Sequence, residues 1–303
     1  MAGRELLQPA VPRRPYNLGE SAMTIAILGL GLIGGSLGLA LKRAGEGPIA
    51  GYALHPRTLA LARARGAIDL ARESPEAAVE GAGLVILAAP IRALPGLMAR
   101  IAPHLPPGAV VTDTASTKGR VMAWAAAHLP GPFVGGHPMA GKEAWGMEAA
   151  SVALFEGAPY ILVPAKGTPE GALERMVSLA QSVGARPLVM EDPEEHDRLV
   201  GGISHLPLLL SVALTLTASR HPDWPRMAQL ASGGFRDATR LASGNPQMGR
   251  NIFITNKRWA LYWLDRFLEQ IEELRLHLEQ DSPEEVLNEA REARERWLRE
   301  RYG

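Results

Sequence analysis

The chain has 303 residues, 47% of them hydrophobic and 21% charged, and its basic and acidic side chains balance. That length allows two domains with separate cores, and the zero net charge offers no broad basic field, so no nucleic-acid partner is expected. The chain has no cysteine, which excludes disulfides, thiolate catalysis and cysteine-ligated zinc and leaves no metal site expected; no apolar run reaches about 18 residues, so no membrane span is expected and the composition is compatible with a cytoplasmic protein.

Residues 1–22 contain Pro9, Pro12 and Pro15 and scattered arginines but no apolar core, so they read as a flexible tail, not a signal peptide. Thr24–Leu28 is a short apolar run that breaks into a glycine loop. Leu32–Ala44 follows as a helix, with Gly45 and Gly47 as stop signals. A strand at Ile49–Ala53 and a helix at Pro56–Arg65 come next. Leu84–Ala88 is continuously apolar, as strands buried on both faces are, and Ala109–Asp113 is a further strand. Tyr160–Val163 and Pro187–Met190 flank a helix at Pro169–Val183. Strands alternating with helices predict an α/β domain, residues 23–191, built on a parallel sheet with crossover helices.

From Glu194 onward strand signals vanish. Arg198–Thr217 reads as an apolar helix, and Gln247–Gln280 as one long helix. Along the latter, Leu261, Leu264, Leu268, Ile271, Leu274 and Leu278 recur at spacings of three and four, an apolar stripe of the kind that packs helix on helix. Ser282-Pro283-Glu284-Glu285 starts a last, heavily charged helix. Residues 192–303 are therefore expected to form an all-helical domain. Its seam favours a homodimer, with an intrachain bundle as the alternative.

The glycine loop carries the first chemistry. Gly29, Gly31 and Gly34 form Gly-x-Gly-x-x-Gly between a strand and a helix, the setting in which this fingerprint marks a Rossmann-type dinucleotide site. The pyrophosphate is expected on the helix N-terminus, where free N–H groups favour anions. The second strand should end in an acid that holds the ribose of NAD, yet Ala53 stands there. Arg57, or His55, offers a contact to a 2′-phosphate instead, so NAD or NADP is expected with a lean to NADP. About a hundred residues on, His137 lies in Gly135-Gly136-His137-Pro138-Met139-Ala140-Gly141. It is read as a histidine in a glycine-rich turn, open to ligand and solvent, and a candidate acid/base for a dehydrogenase.

Five motifs in order resemble one family. They are Gly29–Gly35, Asp113-Thr114-Ala115-Ser116-Thr117-Lys118-Gly119, Gly136–Gly141, Ser204-His205-Leu206-Pro207, and Gly234-Phe235-Arg236-Asp237-Ala238-Thr239-Arg240. Together they resemble the prephenate and arogenate dehydrogenases of tyrosine biosynthesis, the TyrA family. The resemblance implies an oxidative decarboxylation in which hydride leaves C4 of a cyclohexadiene for NAD(P)+, CO2 leaves C1, and the ring aromatises. Prephenate would give 4-hydroxyphenylpyruvate; arogenate would give tyrosine directly. His137 would draw the proton from the 4-hydroxyl, Ser116 would touch the same hydroxyl, and Arg240 would bind a substrate carboxylate. Glu143, Asp197, His205, Gly233 and Asp237 would line the substrate site, with orientation as open as direct contact for Asp197 and His205. Leu32, Ile33, Ala89, Pro90 and Thr114 would join Gly29, Gly31, Gly34 and Arg57 around the cofactor. The enzyme is expected to be monofunctional, with no chorismate mutase segment before it and no regulatory domain after it.

The chain departs from the family twice. Leu208 stands where members often carry a second histidine, which leaves substrate choice and feedback by tyrosine open; Gly249 stands where a tryptophan is common, near the subunit boundary in the family, which implies a remodelled pocket edge. A β-hydroxyacid dehydrogenase or imine reductase type is the nearest rival, although the helical half offers only Lys257 as a catalytic lysine. A nonenzymatic nucleotide sensor would not need His137, Ser116 and Arg240 together.

Overall fold

The computed structural model describes residues 23–302, and the tail expected at 1–22 lies outside the described residues. The chain begins β1 (Thr24–Leu28), α1 (Leu32–Arg43), β2 (Ile49–Tyr52), α2 (Pro56–Ala64), β3 (Leu70–Ala71), α3 (Pro75–Val79) and β4 (Ala82–Leu87). It continues with α4 (Leu94–Ile101), β5 (Val110–Asp113), α5 (Gly119–His128), β6 (Phe133–Pro138), β7 (Pro159–Pro164), α6 (Glu170–Ser182) and β8 (Arg186–Val189). Helices follow: α7 (Pro193–Val200), α8 (Leu206–Ser219), α9 (Trp224–Leu230), α10 (Gly233–Thr239), α11 (Pro246–Thr255), α12 (Lys257–Glu279) and α13 (Glu284–Tyr302).

The eight strands form one sheet in the order β3-β2-β1-β4-β5-β6-β7-β8. It is parallel except between β6 and β7, which run antiparallel. The parallel-sheet expectation therefore needs one correction. The segment after β6 returns to the sheet without a crossover helix, so β7 pairs in the opposite sense, which only a crossover could have prevented. Alternation along β1 sends Ile25 and Ile27 to a core with Leu37 and Leu41 of α1 and Met176 and Leu179 of α6. Ala26 and Leu28 face the other side, with Val79, Leu94, Met98 and Val121. Helices thus cover both faces, and the mostly continuous apolar character of β4 follows from burial on both.

Three expectations about the helices change. The helix placed at Arg198–Thr217 starts earlier, at Pro193, where the Asp192 side chain accepts from Glu194 N at 2.9 Å. A π-helical turn, Gly201–His205, joins α7 to α8. Pro207 has no N–H to continue the α pattern, and the Leu206 N–H bonds to the Gly201 carbonyl instead; such bulges sit often at functional sites. The joined helix, Pro193–Ser219, is also long and apolar enough to cross a membrane by length and composition, with 22% of its apolar window buried. Counting uninterrupted apolar residues does not find it, because Ser204, His205 and Ser211 break the run while its mean hydropathy stays high. Finally, the long helix expected from Gln247 is broken at Asn256, which leaves helical geometry (φ −119°, ψ 34°) and turns its buried side chain inward.

The chain divides into two compact units, Met1–Asn256 and Lys257–Gly303. The first carries the sheet and α7–α11, tied by the Thr117–Thr255 hydroxyl contact at 2.9 Å and by the Asp197 cap described below. The second holds α12 and α13. On α12, Leu261, Leu268, Ile271 and Leu278 are between 41% and 65% exposed.

Candidate active site

The parallel strands β1, β4, β5 and β6 bring Gly29, Ala88, Asp113 and His137 to one edge of the sheet, the carboxyl edge where such folds bind ligands. Gly29 has φ +104°, and a Cβ there would lie 2.6 Å from the Ala88 carbonyl. A Cβ on Gly34 would lie 1.9 Å from the Gly29 carbonyl, whereas one on Gly31 would meet nothing within 4 Å. Gly31 caps α1 with no side-chain bond to the first turn, which holds no acid. Tight packing at two glycines, open space at the third and an uncapped helix start fit a dinucleotide pyrophosphate. Leu32 and Ile33 begin that helix, Ala89 and Pro90 follow β4, and Thr114 follows β5, its N–H bonded to the Leu87 carbonyl at 3.1 Å. Ala53 is buried at the end of β2, and Arg57 is exposed in the first turn of α2.

His137 is not in an open turn. It is on β6, paired with Ile161 of β7 and only 6% exposed. The flanking glycines answer to packing: a Cβ on Gly136 would lie 2.4 Å from the Asp113 carbonyl, and one on Gly135 would lie 3.0 Å from the buried Lys118 stem. His137 Nδ1 lies 3.0 Å from Nε2 of His196, and His196 Nδ1 lies 2.8 Å from Oδ1 of Asp197. Burial holds the His137 imidazole well below the ordinary histidine value, assisted by His196, Lys118 and His205 nearby. It is therefore neutral at neutral pH, as a base must be.

Asp197 reaches from α7 to the start of α5. Its Oδ1 accepts from Lys118 N at 2.6 Å and its Oδ2 from Gly119 N at 2.9 Å, a cap supplied from another helix. Lys118 and Asp113 are both fully buried and paired. Burial lowers the Lys118 pKa, and the carboxylates of Asp113 and Asp197 oppose that. Asp113 also accepts from Ala115 N and Gly136 N, so the pair meets the requirement that a buried charge be both paired and hydrogen-bonded. Asn256 donates from Nδ2 to the Asp197 carbonyl at 2.7 Å and meets His205 Nδ1 at 3.0 Å. Burial pushes His205 down to about 4, and its Nε2 meets no hydrogen-bonding partner among the described residues.

The structure thus gathers His137, Asp197 and His205, with Ser116 half-buried in the β5–α5 loop. Arg240 follows α10 and pairs with Glu143; both are exposed. Asp237 instead meets its neighbour Arg236 at 3.2 Å, and Gly233 opens α10. Sequence reasoning gave no role to Lys118, Asp113, His196 or Asn256. Asp113 and Lys118 both stand in one of the five motifs, and His196 is the neighbour of Asp197; Asn256 has no such signal. The two family departures meet in space: a Cβ on Gly249 would lie 3.6 Å from Leu208 Cδ2.

Comparison with known proteins adds an independent line. Residues 37–189 match the family model described as prephenate dehydrogenase, nucleotide-binding domain, and residues 192–292 match its dimerization domain. A prephenate dehydrogenase of Bacillus subtilis is 36% identical over 87% of this chain and 72% of its own. The A. aeolicus prephenate dehydrogenase, solved with hydroxyphenyl propionate and NAD+, is 31% identical at TM-score 0.84, over 92% of this chain and 99% of its own. A Synechocystis arogenate dehydrogenase is 33% identical at TM-score 0.78, over 91% and 100%.

Proposed function

The chain belongs to the prephenate dehydrogenase family, and from that premise we propose that His137 is the base, and Arg240 the carboxylate-binding cation, of a prephenate oxidative decarboxylation. It is an NAD(P)-dependent dehydrogenase of two parts, a Rossmann-type domain and a helical one. We divide them at residues 23–191 and 192–303.

The buried, neutral His137 at the carboxyl edge of the sheet carries this reading. When bound, the nucleotide supplies the hydride acceptor. The substrate's 4-hydroxyl must lose its proton as hydride leaves C4, and Nε2 is the His137 nitrogen that His196 does not engage. Ser116 would hold the same hydroxyl. As C4 becomes a carbonyl, the C1–carboxylate bond breaks, CO2 departs, and its electron pair completes the aromatic ring. Burial excludes water from the imidazole and keeps it available for the proton. The Arg240 fork suits a carboxylate, with Glu143 beside it, and Gly233 and Asp237 would border that end of the site. The orphan nitrogen of His205 would meet a polar group of the substrate.

We infer further that NADP serves at least as well as NAD, because Ala53 cannot accept from a ribose diol and Arg57 lies exposed nearby. The helical half would join two copies into a cytoplasmic homodimer. Val212, Leu214 and Leu216 of α8 are exposed in the single chain. The same joined helix carries His196, Asp197 and His205, which are committed to protein contacts and costly in lipid.

The test is turnover of prephenate and of arogenate with each cofactor, in the wild type and in Arg57→Ala. Prephenate is expected to be the better substrate, and the variant to lose NADP selectively, by ~10–150-fold for one charge-assisted contact. A wild-type preference for NAD above about tenfold would place the ribose on some other group. Turnover of arogenate alone would make tyrosine the product.

A further inference from the structure

We propose that His196 and Asp197 act as positioning residues that fix the tautomer of His137, leaving its Nε2 unprotonated and facing substrate. The inference rests on His137 being the base and explains why one of its two nitrogens is ready for that task.

Both of the carboxylate oxygens of Asp197 accept backbone N–H groups, from Lys118 and Gly119, and so act as acceptors. The 2.8 Å contact from Oδ1 to His196 Nδ1 then requires an N–H on that nitrogen. Burial lowers the pKa of His196 even with Asp197 beside it, and a neutral imidazole with its proton on Nδ1 has a bare Nε2. That bare nitrogen lies 3.0 Å from Nδ1 of His137. Two lone pairs would repel, so His137 Nδ1 bears the proton and donates it. Neutral His137 is therefore bare at Nε2, the form that can take a proton from a hydroxyl. A carboxylate that sets an imidazole tautomer is a general device; here it acts through a second imidazole. Asp197 is itself held on three sides: by the two N–H groups of the α5 start and, through its backbone carbonyl, by Asn256.

The test uses the full-length protein labelled with [15N]histidine, with two-bond 1H–15N correlations reporting which ring nitrogens are protonated. In the wild type the expected pattern for His137 is protonated Nδ1 and bare Nε2. His196→Leu keeps the bulk but removes the acceptor. It should lower kcat by ~10²–10⁴-fold, with KM for prephenate and cofactor affinity within about threefold of wild type. His196→Gln offers an amide oxygen where the far ring nitrogen stood and should recover kcat to within about tenfold of wild type. A proton on Nε2 of wild-type His137, kcat within about threefold of wild type in His196→Leu, or His196→Gln no better than His196→Leu would each overturn the proposal. The wild-type spectrum decides even if His196→Leu fails to fold. His137→Asn separates the two readings: if it keeps full activity, the base assignment itself is wrong, whereas an inactive His137→Asn beside a fully active His196→Leu removes the relay alone.

Discussion

Arg240 and Glu143 are paired in the structure, with side chains 60% and 41% exposed. An exposed pair of this kind is screened by water and contributes little to stability. Glu143 therefore holds the guanidinium without locking it, and on the proposed reading a substrate carboxylate with two oxygens would take its place. Its own backbone N–H and then Arg240 lower the Glu143 pKa, so the acid stays charged and would keep Arg240 oriented between turnovers. Arg240→Ala should raise KM for prephenate by ~10–150-fold, the worth of one charged hydrogen-bonded contact, while kcat stays within about threefold. Arg240→Lys keeps the charge without the fork and should fall between. Steady-state kinetics at saturating cofactor reads both, and an unchanged KM in Arg240→Ala would move the carboxylate site elsewhere.

At the scale of elements, the strands and helices around Gly29–Gly34 were legible because a strand, a fingerprint and a helix follow one another without interruption. β6 was not. Gly135 and Gly136 read as a turn because glycine usually marks one, whereas here Lys118 and the Asp113 carbonyl leave no room for a Cβ, and that constraint is tertiary. The start of α7 is legible: Asp192-Pro193-Glu194-Glu195 repeats the pattern of Ser282-Pro283-Glu284-Glu285. The break at Asn256 depends on partners 51 and 59 residues away, beyond any local pattern. The apolar stripe on α12 is exposed in one chain, which gives the proposed homodimer a specific test. Each buried leucine is worth ~1.5–3 kcal/mol, and a two-fold interface counts each substitution twice. Leu268→Glu should therefore convert a dimer into a monomer at micromolar concentration, read by light scattering. A monomeric wild type would remove the dimer; a dimer that survives Leu268→Glu would place the seam elsewhere, with α8 the next face to test.

Across the whole molecule, the site depends on groups far apart in sequence: Asp113 from β5 and Lys118 from the start of α5, His196 and Asp197 from α7, and His205 and Asn256 from further along. His137 and two of these groups, His196 and His205, are imidazoles buried in neutral form. That arrangement would serve the proposed proton transfer, and it makes the fold sensitive to acid. The folded-state pKa of each lies below the unfolded value of 6.5, so between those two values the unfolded chain binds more protons than the native one. Stability is then full above pH 6.5 and falls as the pH drops below it. For His205 the loss continues down to about 4 and amounts to roughly 3 kcal/mol, at about 1.4 kcal/mol per pH unit. Thermal unfolding at fixed protein concentration, which holds any dimer equilibrium constant, should show a Tm that is level above pH 6.5 and falls steadily toward pH 4. His205→Gln replaces a titrating ring with a neutral amide and should make that fall shallower while lowering Tm at neutral pH through lost packing. A wild-type Tm that stays level from pH 6.5 to 4.5, or a variant that falls as steeply as the wild type, would show that the imidazole beside Asn256 is not kept neutral by the fold.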